Sequence, residues 1–164
     1  MKIINEASER FRDRQDEVCG CLFELLRLIN ELERSIFQRD CIIREKAMLK
    51  EMTAEEAENA RQQMWVDYRT DCGKTVTGRC TEKLLKYGYA RSFAPTPMYE
   101  YIEGDCEVFF RMSTPKKAVV EIVIPSGTAH LIHTFTMVRD GEAWLADAFT
   151  YGTDKENVRH RGHI

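Results

Sequence analysis

His133, Asp147, Tyr99 and Tyr101 are the side chains of this sequence best suited to acid and base chemistry. A histidine or carboxylate with a tuned pKa beside a phenolic donor is what isomerases, dehydratases and hydrolases place in an apolar pocket. These four cooperate only if the chain brings them to one side of a sheet. Asp154, Glu156, His160 and His163 form a second group with metal-ligating residue types, but such spacing near a chain end is common and indicates no metal. The six cysteines (Cys19, Cys21, Cys41, Cys72, Cys80 and Cys106) contain one C-x-C and no C-x-x-C, so a zinc site is not indicated either. Without a secretory signal they read as reduced thiols, buried as small apolar side chains. No cofactor motif accompanies any of these groups.

Composition narrows the function classes. A net charge of −3, with Lys and Arg scattered rather than clustered, gives no basic surface for phosphate backbones, so nucleic acid is not an expected ligand. Residues 1–14 hold no continuous apolar run, so neither a signal peptide nor a membrane span is expected, and the expected compartment is the cytoplasm. A chain of 164 residues is expected to form a single domain, 1–164, with a helical part over 1–87 and a β-rich part over 88–164.

The helix breakers draw that division. All four prolines and eight of the nine glycines lie at or after Gly73, leaving the first seventy residues helical by elimination. Val18, Leu22, Leu25, Leu26, Ile29, Leu32 and Ile36 recur at spacings of three and four, which predicts one long amphipathic helix over 6–50. Its stripe does not keep strict coiled-coil spacing, so packing on its own sheet is favoured over an oligomerisation arm. Thr53 and Glu56 read as a capping box opening a second helix that Gly73 stops, and residues 81–87 predict a short third helix ended by Gly88.

Five strands are expected beyond Pro95 and Pro97: residues 98–102, 106–112, 118–124, 130–139 and 142–150, forming an antiparallel meander. Pro115 and Pro125-Ser126-Gly127 mark two turns. Asp140-Gly141 predicts a two-residue type I′ hairpin with Arg139 opposite Glu142. In that register Met137, Phe135, His133 and Leu131 share a face with Trp144, Ala146 and Ala148. Val138, Thr136, Thr134 and Ile132 share the other with Leu145, Asp147 and Phe149. His133 and Asp147 are thus expected on opposite faces, which argues against a joint catalytic role. The preceding strand carries Val120, Ile122 and Ile124 one way and Val119 and Val123 the other. A sheet apolar on both sides needs cover on both, and three helices cover one. The second face is left for a curled neighbouring segment, a twin subunit or a foreign partner, so binding is a better reading than catalysis.

A long helical start followed by a strongly bent antiparallel sheet resembles the cone-shaped nuclear transport factor 2-like fold, an α+β architecture. The segments Arg91 to Tyr99, Lys117 to Ile122, His133 to Met137, Gly141 to Asp147 and the terminal Gly162-His163-Ile164 are similar to the Rhs-associated immunity proteins of that fold. The resemblance covers about the last 75 residues. Members of that family neutralise toxins exchanged between competing bacteria, often through type VI secretion. The implied partner is a cognate toxin domain, the C-terminal part of an Rhs-type effector, and the role implies no catalytic residue, cofactor or metal. Within that reading the run Tyr99, Glu100, Tyr101, Glu103, Asp105 and Glu107 is the expected toxin-binding segment: tyrosines anchor, and carboxylates steer a basic surface. The plain alternative is a solvated edge strand whose charges deter unwanted pairing. Two other functions stay open: a small cone-fold enzyme of isomerase, dehydratase or hydrolase type, and an adaptor that forms a homodimer through the exposed sheet face.

Overall fold

The computed structural model describes residues 1–156 and 158–164. Apart from a first strand inside the part expected to be helical, helices and strands segregate as the breakers imply, giving an α+β chain with a long helix near its start and a six-stranded, mostly antiparallel sheet. The elements in order are β1 (Lys2–Asn5), a 3-10 turn (Glu9–Arg14), α1 (Gln15–Met48), α2 (Ala54–Val76), α3 (Glu82–Leu85), a second 3-10 turn (Glu100–Glu103), β2 (Glu107–Thr114), β3 (Lys117–Ser126), β4 (Ala129–Asp140), β5 (Ala143–Thr153) and β6 (His160–Arg161).

The chain does not begin as helix. Lys2–Asn5 adds to the sheet edge as a strand parallel to β2, opposite Glu107 to Phe110, and α1 starts only at Gln15. Its N-terminal half lays Val18, Leu22, Leu25, Leu26 and Ile29 on the sheet, and its C-terminal half lays Ile36 and Ile43 on α2. One helix therefore serves two cores. The capping box is present: the Thr53 hydroxyl accepts the Glu56 N–H, and the Glu56 carboxylate accepts the Thr53 N–H. The second helix passes Gly73 and ends at Val76, whose side chain is buried in the sheet-side core and holds the extra turn in place.

The expected strand over 98–102 is absent. Asn30 and Glu33, one turn apart on α1, accept the backbone N–H groups of Tyr99 (3.0 Å) and Met98 (2.8 Å). Those are donors a strand would spend on its ladder, and the segment coils into the second 3-10 turn instead.

The four long strands form the expected meander, with one change of register. Asp140 stays extended and pairs with Ala143, so the loop is Gly141-Glu142. Gly141 supplies the only positive φ of that loop, 59°, at its first position, which suits a type II′ rather than a type I′ turn. The pairing shifts by two residues, which preserves the faces, and Met137, Trp144 and Ala146 stay together as expected. A bulge at Asp147, between the Met137–Ala146 and Thr136–Ala148 pairs, then reverses them. Phe149 joins Phe135 and His133, and Ala148 moves to the other face.

The inner face consists of the rows Val108–Ile122–His133, Phe110–Val120–Phe135–Phe149 and Met112–Ala118–Met137–Ala146, all buried beneath α1 and the 99–106 segment. Phe135 and Phe149 stack with ring centroids 4.5 Å apart. The chain end closes over them: the Gly162 N–H donates to the Phe149 carbonyl, and a Cβ at Gly162 would lie 2.2 Å from the Phe149 ring, so only glycine fits.

Candidate functional site

The expected toxin-binding run does not present itself as one surface. Tyr99 has no exposure; it packs among Tyr101, His133, Phe135 and Phe149, and its hydroxyl donates to the His163 carbonyl. Tyr101 is largely buried and its hydroxyl lies 2.7 Å from Nδ1 of His133. Glu100 and Glu103 are exposed, but both face Arg34 of α1, at 3.6 and 2.7 Å. The hydrogen bond from Arg34 holds the Glu103 carboxyl below its ordinary range. With Glu107, three of the four carboxylates have a counter-ion within the chain, which reduces the field they offer a basic partner. Asp105 is exposed beside them, and Glu107 leaves the group for the outer row of the sheet, where it pairs with Lys2 at 3.5 Å.

The acid–base candidates are separated. His133 sits in the inner face at 4% exposure, and burial pushes its pKa down to about 4. Burial also raises Tyr101 well above the phenol range. A neutral imidazole and a protonated phenol can hydrogen-bond to each other in either tautomer of the ring. The pair satisfies itself inside an aromatic cluster. Asp147, at the bulge, accepts hydrogen bonds from the Thr81 hydroxyl (2.9 Å) and Lys83 Nζ (2.5 Å). Burial works against its charge, but these partners outweigh it and lower its pKa. His133 and Asp147 share no partner, and Asp147 ties the start of α3 to β5. Asp154 is engaged by the His130 backbone N–H and ring. Among the described residues no three His, Cys, Asp or Glu side chains gather as a metal site. The six cysteines are unpaired, with Cys21 and Cys41 exposed and the other four buried.

The outer face of the sheet is the widest arrangement left open. Its rows are Glu107–Val123–Ile132, Phe109–Glu121–Thr134–Thr150, Arg111–Val119–Thr136–Ala148 and Lys117–Val138–Leu145. Most of these side chains are half-buried, shielded by their row neighbours, and among the described residues no helix or strand packs over them as a second layer. Arg111, one of two cations in these rows with Lys117, lies 5.7 Å from the centroid of the Phe109 ring and pairs with Glu6 and Glu121 at 2.6 and 3.3 Å. The surface is broad, apolar to threonine-rich, and nearly charge-neutral. No helix of the described residues is long and apolar enough to cross a membrane.

Asn30, Glu33 and Asp40, none of them among the expected site residues, are all buried. The signal is in the chain: each falls in phase with the apolar stripe of α1, where a polar residue needs a partner inside the fold. Comparison of the chain with family models, curated relatives and solved structures found no match.

Proposed function

We propose that this protein is an immunity protein that binds the toxin domain of an effector made in the same cell and neutralises it by occupying or distorting the toxin's active site. The scaffold on this reading is the cone-shaped nuclear transport factor 2-like fold with a strongly curved sheet, the compartment is the cytoplasm, and the protein performs no catalysis of its own. The observation that carries the binding reading is the open outer face. Four strands at ~4.8 Å spacing, over about eight residues at ~3.3 Å each, give a flat footprint of roughly 500 Å². Side-chain relief and the charged margin formed by Lys2, Glu107, Arg111 and Lys117 extend it toward the ~800 Å² per partner of a stable complex. A surface of valine, leucine and threonine whose inner carboxylate, Glu121, is already paired with Arg111, edged by charged residues, fits the anatomy of a specific interface. Charges already paired within the chain add little long-range steering, so the partner is selected by shape and burial, with the exposed Asp105 near the edge supplying local complementarity.

The test is recovery of the tagged chain from the cells that make it, with native mass measurement of its companions. The expected result is a one-to-one complex with an effector fragment that arrests growth when expressed alone and is harmless when this protein is expressed with it. A homodimer as the sole species, in cells where a neighbouring toxin is demonstrably made, would overturn the reading in favour of a dimeric adaptor.

A further inference from the structure

Between α1, α2 and the segment 89–98 lies a cavity of about 130 Å³. Tyr68, Tyr89, Phe93 and Tyr99 line it, and so does one carboxylate, Glu33. Glu33 is only 7% exposed. One of its oxygens, Oε2, accepts the Met98 N–H at 2.8 Å. Among the described residues no cation is paired with it: its neighbour Arg34 turns to Glu100 and Glu103, Arg91 of the same cavity bonds the Tyr87 carbonyl, and the influences on its charge are burial, which raises its pKa, and the Met98 N–H, which opposes that rise. Tyr68, Cys72 and Tyr99 line the same cavity, and burial foremost, with the Glu33 carboxylate in addition, raises the pKa of each. The cavity opens to solvent between the exposed Ser92, Ala94 and Thr96.

A buried carboxylate held by one backbone donor and no counter-ion is costly unless it is protonated or a cation joins it. The surrounding rings specify which cation. A bare ammonium would exchange several water hydrogen bonds for mainly apolar walls, whereas a methylated ammonium is weakly hydrated and is drawn to aromatic rings and a carboxylate together. The volume agrees, since an apolar cavity of ~150 Å³ takes up a molecule the size of benzene. Cys72, Ser92, Thr96, Arg91 and His163 also line the space, and the last two can carry positive charge. Arg91 donates to the Tyr87 carbonyl, and His163 is kept toward its neutral form by burial and by Arg91.

We propose that this cavity binds a small organic cation bearing a methylated ammonium group, with Glu33 as its counter-ion and the rings of Tyr68, Tyr89, Phe93 and Tyr99 as its walls. The site is separate from the outer sheet face, and the proposal does not rest on the immunity reading. It gives Glu33 a role beyond clamping the 98–99 backbone together with Asn30.

The experiment is an NMR titration of the full chain with choline, with 3,3-dimethylbutan-1-ol as its neutral isostere, repeated on Glu33→Gln. The Gln carbonyl still accepts the Met98 N–H while the charge is lost. The expected result is saturable, millimolar or tighter binding of choline, with shifts centred on residues 89–99, and at least about tenfold weaker binding of both the neutral isostere to wild type and choline to Glu33→Gln. Absence of saturation by choline, equal affinity for the isostere, or undiminished binding to a folded Glu33→Gln would each overturn it. The isostere comparison uses wild type alone and decides the question even if the variant does not fold.

Discussion

The two faces of the sheet are drawn from alternate residues of the same four strands, yet they hold their apolar side chains for different ends. Inside, Phe110, Phe135 and Phe149 are buried under α1 and the chain end; outside, Phe109, Val119, Val123, Val138 and Leu145 shield one another and stay half-open. Removing an inner group leaves a cavity, and removing an outer group takes little from the folded chain. The difference teaches that apolar character alone does not locate a core. The outer residues matter to the extent that another protein completes their burial.

The largest test of that contrast is Phe135→Ala, expected to destabilise the chain by about 3–5 kcal/mol in urea unfolding because Phe135 is fully buried against Phe149. A loss under 1 kcal/mol would mean that the inner face is not the packed one.

Acidification probes the same face. His133 has a folded pKa of about 4 against an ordinary 6.5. The unfolded chain binds the proton more readily, so this contribution is full above pH 6.5 and is lost as pH falls toward 4. It amounts to roughly 3 kcal/mol, and stability rises with pH through that window. Unfolding free energies of wild type and His133→Gln across it should diverge, with the variant nearly flat. Parallel slopes would show that His133 titrates in contact with water.

The outer face should answer in affinity instead. Val123 stands opposite Glu107, so Val123→Lys gains a nearby carboxylate and is expected to change stability by no more than about 0.5 kcal/mol. Affinity for the proposed toxin partner should fall about 30-fold, the equivalent of ~2 kcal/mol, in surface-based binding measurements, because the new ammonium must lose water where the partner packs. Far from both faces, Thr53→Ala removes the capping box of α2 and should cost ~1 kcal/mol with no effect on binding. A change in affinity from that variant would mean that the helical arm reaches the partner.

Much of the architecture was legible in the sequence. The stripe from Val18 to Ile36, the Thr53 box and the clustering of Gly and Pro after Gly73 carry local rules that the fold obeys. Two of the features that escaped are set by partners distant in the chain. The 98–102 segment has strand-like composition, but Asn30 and Glu33 claim its donors from some 65 or more residues away. The Asp147 bulge, which turns Phe149 inward, is accompanied by the contacts from Thr81 and Lys83 to that residue and by the seating of Gly162 on Phe149. At the expected binding run the residue types were visible, but which of them face inward was not: Tyr99 fills the core, and Glu100 and Glu103 answer to Arg34.

The most direct measurement of the central claim is a paired recovery of wild type and Val123→Lys from the producing cells, each analysed by native mass. The account predicts a one-to-one companion, toxic when expressed alone, with wild type and its loss with the folded variant. Equal recovery of that companion by both proteins would contradict the assignment of the outer face, and a homodimer broken by Val123→Lys would contradict the toxin as its occupant.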